Sequence, residues 1–110
     1  MNIDELVNSI EEAELRENLS HWVSEWKKDE TDINKLYALV AKWHGNVWFK
    51  DPDQQNKFWS NLQSFKEHAI DGIGGMTVNE RLYWFGMFDE WDNSDEIGQQ
   101  RIRNKLHARA

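Results

Sequence analysis

Apolar side chains recur along this chain at intervals of three and four, the spacing that gathers them on one face of an α-helix. Ile3, Leu6, Val7 and Ile10 form a first stripe, and Leu15, Leu19, Trp22, Val23 and Trp26 form a second. The step from Ile10 to Leu15 breaks phase, which predicts a short helix, a turn near residues 11–13, and a longer helix to about Lys28. Beyond the polar connector KKDETD, Thr31 or Asp32 is placed to cap a third helix striped by Ile33, Leu36, Tyr37, Val40, Trp43 and then Val47 or Trp48. Asp51 followed by Pro52 is a start signal, since proline at the first helical position lacks only an N–H that has no partner there. The helix it opens carries Phe58, Trp59, Leu62, Phe65 and Ala69 or Ile70, and Gly72 is expected to end it in the left-handed conformation.

Thr77 and Glu80 are spaced as a capping box, opening a helix through Leu82, Phe85, Phe88 or Met87, and Trp91. Leu82, Phe85 and Phe88 are expected to face the core, with Tyr83, Trp84, Met87 and Trp91 on its flanks. Ser94 or Asp95 would cap a last helix through Ile97, Ile102 and Leu106. NVWF is the single β-prone run. The pattern predicts an all-α fold, a compact bundle of five to six amphipathic helices, as a single helical domain over residues 1–110.

Seven Trp, five Phe and two Tyr supply more ring surface than a core of this size requires, since each buried ring removes roughly 150–250 Å² from water. The absence of cysteine excludes disulfides, thiolate metal sites and cysteine nucleophiles. No apolar run approaches the roughly 20 residues of a membrane helix, and the opening MNIDELVNSIEE is acidic, unlike a signal peptide. A cytoplasmic protein without membrane contact is expected. Net charge is −7, a field that repels nucleic acid and speeds encounter with basic partners. Residues 1–30 carry nine acids against three bases, and residues 76–99 carry six acids against Arg81 alone. Residues 31–75 are balanced, and Arg101, Arg103, Lys105 and Arg109 make the tail basic.

Candidate chemistry is sparse. Glu17, His21 and Glu25 share one helical face at the spacing of a divalent-metal site, but on the side away from Leu19, Trp22 and Trp26, where solvated charges belong. GIGG, residues 72–75, follows a helix and lacks the Lys–Ser/Thr of a phosphate loop. DNSDEIG, residues 92–98, has Ile97 where a calcium loop needs its turning glycine, and lacks the closing glutamate. His44 and His68 stand near helix ends, where a structural role at the dipole is common. No acid–base pair or nucleophile–base pattern stands out. The expectation is a protein that is not an enzyme, with no catalytic residues, no cofactor and no bound metal.

What stands out is MTVNERLYWFGMFDEWDNSDE, residues 76–96, dense in rings and acids and followed by IRNKL. Asn79, Glu80, Arg81, Leu82, Tyr83, Gly86, Phe88, Asp89, Trp91 and Asp92 match an N-E-R-L-aromatic motif of small bacterial proteins. The chain resembles immunity proteins of contact-dependent growth inhibition systems, with the motif covering about 20–30 of the 110 residues. The resemblance implies an acidic cytosolic protein that binds and blocks a basic toxin domain, most often a nuclease such as an RNase, by occlusion and charge complementarity. Candidate contacts are Glu11, Glu12, Glu14 and Glu17, then Asp89, Glu90, Asp92, Asp95 and Glu96, with Trp84 and Trp91 as aromatic anchors. Within the motif, Glu80 is expected to close the capping box and Arg81 to pair with nearby acids. The alternative is a small acidic regulatory or adaptor protein for another basic cytosolic protein; a metal-dependent enzyme built on Glu17, His21 and Glu25 is a further rival.

Overall fold

Asn2 starts the first helix by a reciprocal device like the one spaced at Thr77. Its side-chain oxygen accepts from the Glu5 N–H at 2.8 Å while the Glu5 carboxylate accepts from the Asn2 N–H at 2.9 Å. In this computed structural model residues 1–108 are described; Arg109 of the basic tail lies outside them. Helix α1 spans Ile3–Asn8 and α2 spans Ala13–Lys28, with the expected turn between them held by the Arg16 guanidinium, which donates to the Ile10 carbonyl at 2.9 Å. Asp32 caps α3, Ile33–Asn46, accepting the N–H groups of Asn34 and Lys35. Asp51 caps α4, Pro52–Phe65, with Pro52 in the first turn as expected.

Helix α4 continues into a π-helical turn, Lys66–Asp71, and a short 3₁₀ turn, Ile73–Gly75. A π turn takes in one extra residue, so the stripe that the α period would pass to either Ala69 or Ile70 buries both. Gly72 has φ −90°, not the left-handed value expected of it. Its glycine is required by crowding instead, because a Cβ there would lie 2.8 Å from the His68 carbonyl oxygen.

The segment expected as one helix after Thr77 is two: α5, Val78–Trp84, and α6, Phe88–Asp92. The capping box at Thr77 and Glu80 is present, but α5 ends in a Schellman motif. The Met87 N–H donates to the Leu82 carbonyl at 2.9 Å and the Gly86 N–H to the Tyr83 carbonyl at 3.2 Å, with Gly86 at φ +60°. This turn advances the register. Met87, expected on a flank, is fully buried against the core with Leu82, and Phe88, expected inside, is 42% exposed. Asp95 caps the last helix, α7, Glu96–Lys105, by accepting from the Gly98 N–H. A second Schellman turn follows it, the Ala108 N–H bonding the Arg103 carbonyl with His107 at φ 58°, a left-handed position taken here without glycine.

No strand occurs among the described residues, so the fold is all-α. Helix α1 packs on α2 and α4, α3 lies against both α2 and α4, and α6 bridges α5 to α7. The described chain extends over 44 × 25 × 18 Å. Trp26, Phe65 and Phe85 meet at its centre, and Trp43, Phe49 and Phe58 form a second ring cluster with His44 at their edge. The apolar stripes are wider than the core: Trp22 and Trp59 belong to their helical repeats, yet each leaves nearly half of its surface exposed. Of Val47 and Trp48, Val47 packs against the core and Trp48 stands out at 85% exposure.

Arg81 corrects a further expectation. It does not pair with acids; buried beside α7, it donates from Nε to the Met76 carbonyl at 3.1 Å and from a terminal nitrogen to the Leu106 carbonyl at 3.0 Å. A guanidinium fixed between two carbonyls ties the chain ahead of α5 to the end of α7. With Glu80 in the capping box, this gives Glu80 and Arg81 of the N-E-R-L motif structural work.

Candidate partner-binding surfaces

The first acidic segment and Glu90 of the second stand at opposite ends of α2. Glu11, Glu12, Glu14 and Glu17 lie at its start, where the Glu12 carboxylate accepts from the Lys50 N–H at 3.0 Å. Glu90 lies by its end, in a cleft shared with Lys27 and Lys28. At 1.5 Å per residue, Glu14 and Lys28 are about 20 Å apart along the helix. The structure therefore does not merge the segments into one patch. None of the acids in either segment is engaged in an ion pair among the described residues; those pairs use Asp4, Asp29, Glu30, Asp32 and Asp71.

Along α6 and the start of α7, exposed acids alternate in the chain with exposed apolar side chains. Phe88 and Ile97, the latter 75% exposed, neighbour Asp89, Asp92, Asp95 and Glu96, all on the surface. Tyr83 is also exposed, and its hydroxyl donates to the Glu5 carboxylate at 3.2 Å. The Glu5 charge raises the Tyr83 phenol above its ordinary value, while the Asn2 N–H lowers the Glu5 carboxyl. Trp84 and Trp91, the expected anchors, are half-buried and pack against the core. The Trp84 ring lies nearly parallel to His68, and the Arg103 guanidinium sits 5.5 Å from the Trp91 ring centre. The exposed aromatic surface is carried instead by Tyr83 and Phe88 here and by Trp22, Trp48 and Trp59 elsewhere. Helical periodicity missed this because it assigns every ring of a stripe to the core. The register change at Gly86 decides it for Phe88.

The cleft of about 370 Å³ between the α2–α3 connector, α6 and α7 holds charges of both signs. Buried Lys105 donates from Nζ to the Asp29 carbonyl, the Asp29 carboxylate and the Thr31 carbonyl at 2.9, 2.9 and 2.7 Å, and lies 4.1 Å from the Trp26 ring centre. Arg101 pairs with Glu30, and His107 Nε2 meets the Asp32 carboxylate at 2.9 Å. Burial pushes the Lys105 ammonium down, against the pull of Asp29. The hydrogen bond from His107, outweighing partial burial, holds Asp32 below its ordinary range. These pairs clamp α7 onto the connector, a structural use that accounts for most of the cleft's charges. Lys27, Lys28 and Glu90 lie outside those pairs, and the Glu90 Oε2 is enclosed with no hydrogen-bond partner among the described residues.

Glu17, His21 and Glu25 line a shallow groove together with Arg16 and Lys28. Among the described residues no three His, Asp or Glu side chains converge as a metal site. No helix of the described residues is long and apolar enough to cross a membrane. No protein-family model, curated protein or solved structure matches the chain.

Proposed function

We propose that this chain is an immunity-type inhibitor that binds a basic bacterial toxin domain, a nuclease by preference, and that it acts by occlusion in the cytoplasm without chemistry of its own. The observation that carries the reading is the exposed segment from Phe88 to Ile97, in which Phe88 and Ile97 alternate along the chain with Asp89, Asp92, Asp95 and Glu96, and among the described residues none of these acids forms an ion pair. Apolar knobs within a polar, charged rim are the usual anatomy of an interface. Unpaired carboxylates add attraction toward a cleft that must hold phosphate, and so favour rapid encounter. Glu11, Glu12, Glu14 and Glu17 form a second acidic face that extends the attraction without sharing those knobs.

The test uses the chain as bait at low salt in a lysate of its source, beside a variant carrying Asp89→Lys, Asp92→Lys and Glu96→Lys. Recovery of a basic toxin fragment at near-equal stoichiometry by the native chain alone is the expected result. With the purified toxin, the reversed variant should associate at least about tenfold more slowly, with the difference shrinking as salt rises. Equal binding of the toxin by both baits removes the acidic face from the reading. Recovery of a basic protein that is not a toxin moves the assignment to an adaptor.

A further inference from the structure

The 18 residues from Ile33 to Lys50 contain Lys35, Lys42, Lys50 and His44 and not one acid, in a chain that has 20 acids among its 110 residues. Helix α3, which occupies most of that run, forms one wall of a groove of about 590 Å³ whose other wall is α2. Trp43, Leu39 and Val47 line it from the α3 side and Trp22, 46% exposed, from the α2 side. The Trp43 indole N–H donates to the Asn18 side chain at 2.7 Å across the groove, so the two walls are joined and the lining is preformed. Lys35 and Lys42 also line it, two helical turns apart on the same face and about 10 Å from each other along the axis. Both are exposed, and neither forms an ion pair among the described residues. Among the described residues no acid lines the groove.

We propose that this groove is a second docking surface, opposite in sign to the acidic face, and that its occupant is an acidic amphipathic helix of a partner protein. An amphipathic helix laid in a groove presents anchors at intervals of three, four and seven residues. Here the anchors would enter between Trp22 and Leu39, over the Trp43 ring, while carboxylates two turns apart meet Lys35 and Lys42. The chain's net negative charge does not prevent this. At physiological salt, charges beyond about 8 Å are largely screened, so the distant acids weigh little against the two lysines that line the groove. The apolar lining favours a protein segment over single-stranded nucleic acid, for which a continuous track of cations and several exposed stacking rings would be the match, whereas this groove offers two lysines and one well-exposed ring, Trp22. The proposal is independent of the toxin reading, since it concerns different residues and a partner of opposite charge.

The probe is a synthetic helical peptide of 14 residues with leucines at i, i+4 and i+7 and glutamates beside them, titrated into the full chain labelled with nitrogen-15. The seven tryptophan indole N–H signals, assigned by single substitution, report where it binds. The expected result is movement of the Trp22 and Trp43 signals with Trp91 unmoved. Affinity should fall about tenfold or more in the Lys35→Glu, Lys42→Glu variant, and likewise when the peptide's glutamates become lysines. Circular dichroism confirms that the variant stays folded, and Trp22→Ala should weaken binding with the lysines intact. The assignment is overturned if no binding is seen up to millimolar peptide, if charge reversal leaves affinity unchanged, or if the shifts map elsewhere. Preferential binding of an oligo-uridine probe, or concentration-dependent self-association through the same signals, also overturns it.

Discussion

Replacing Gly86 by alanine tests the turn that sets the register of the α6 face. At φ +60° an alanine pays the left-handed penalty of roughly 1–2 kcal/mol. Its Cβ would also collide with the Asp4 carboxylate and lie 3.0 Å from the Lys27 ammonium. The Asp4–Lys27 pair, 2.9 Å apart with Asp4 about half exposed, must then rotate away, a loss of at most about 1 kcal/mol. Alanine recovers roughly 0.5–1 kcal/mol by restricting the unfolded chain. The net expectation is a destabilisation of about 1–2 kcal/mol, or a melting temperature lower by roughly 5–12 °C. Urea titration followed by circular dichroism measures it. Adding Asp4→Ala separates the two causes: removing the carboxylate relieves the collision but not the strain, so the double variant should be more stable than the sum of the single effects. Gly45→Ala is the matched control, because that helical position is open space and the change should stabilise by about 0.5–1 kcal/mol. A Gly86→Ala protein as stable as the native chain would show that the backbone there is not left-handed, and the outward placement of Phe88 would lose its cause.

Two other outcomes follow from the buried connections. Arg81→Ala should cost roughly 2–4 kcal/mol in a urea titration, since it leaves the Met76 and Leu106 carbonyls without their charged donor, and Arg81→Lys should recover only part, having one nitrogen where two are used. Asp32 is held below its ordinary value of 3.8, so its contribution to stability is present above that value and is lost as pH falls through the lower folded value. The fall in melting temperature between about pH 4 and pH 2 should therefore be shallower in Asp32→Asn than in the native chain.

Local signals in this sequence were legible wherever one residue type has one physical use. Asp32, Asp51 with Pro52, Thr77 with Glu80, and Asp95 all stand at the caps their spacing allows, and the break between Ile10 and Leu15 is a real turn. Non-local requirements were not legible. Gly72 was expected to end a helix in the left-handed conformation and Gly86 to lie inside one, and only packing reveals that Gly72 answers a close carbonyl while Gly86 takes the positive φ. Periodicity could not foresee the π turn that buries both Ala69 and Ile70, because its extra residue is invisible to a 3.6-residue repeat. Nor could spacing tell Arg81, whose partners are backbone carbonyls 5 and 25 residues away, from a surface arginine seeking an acid. Of the candidate site, the exposure of most of the acids was readable from their phase, but the choice of aromatic neighbours was not.

The length of α2 has a consequence for how the acidic segments combine. Glu14 and the Lys28 beside Glu90 are about 20 Å apart along the axis, more than twice the screening length near physiological salt, so Glu14 and Glu90 hardly sense each other's charge. Their contributions to encounter should then be independent, and rate losses from reversing each segment should multiply rather than share a common ceiling. A standard interface of about 800 Å² on each partner, if round, is some 30 Å across and just long enough to reach both. A folded toxin domain can thus draw on both ends of the helix, while a short fragment of it engages one end and responds to one set of reversals.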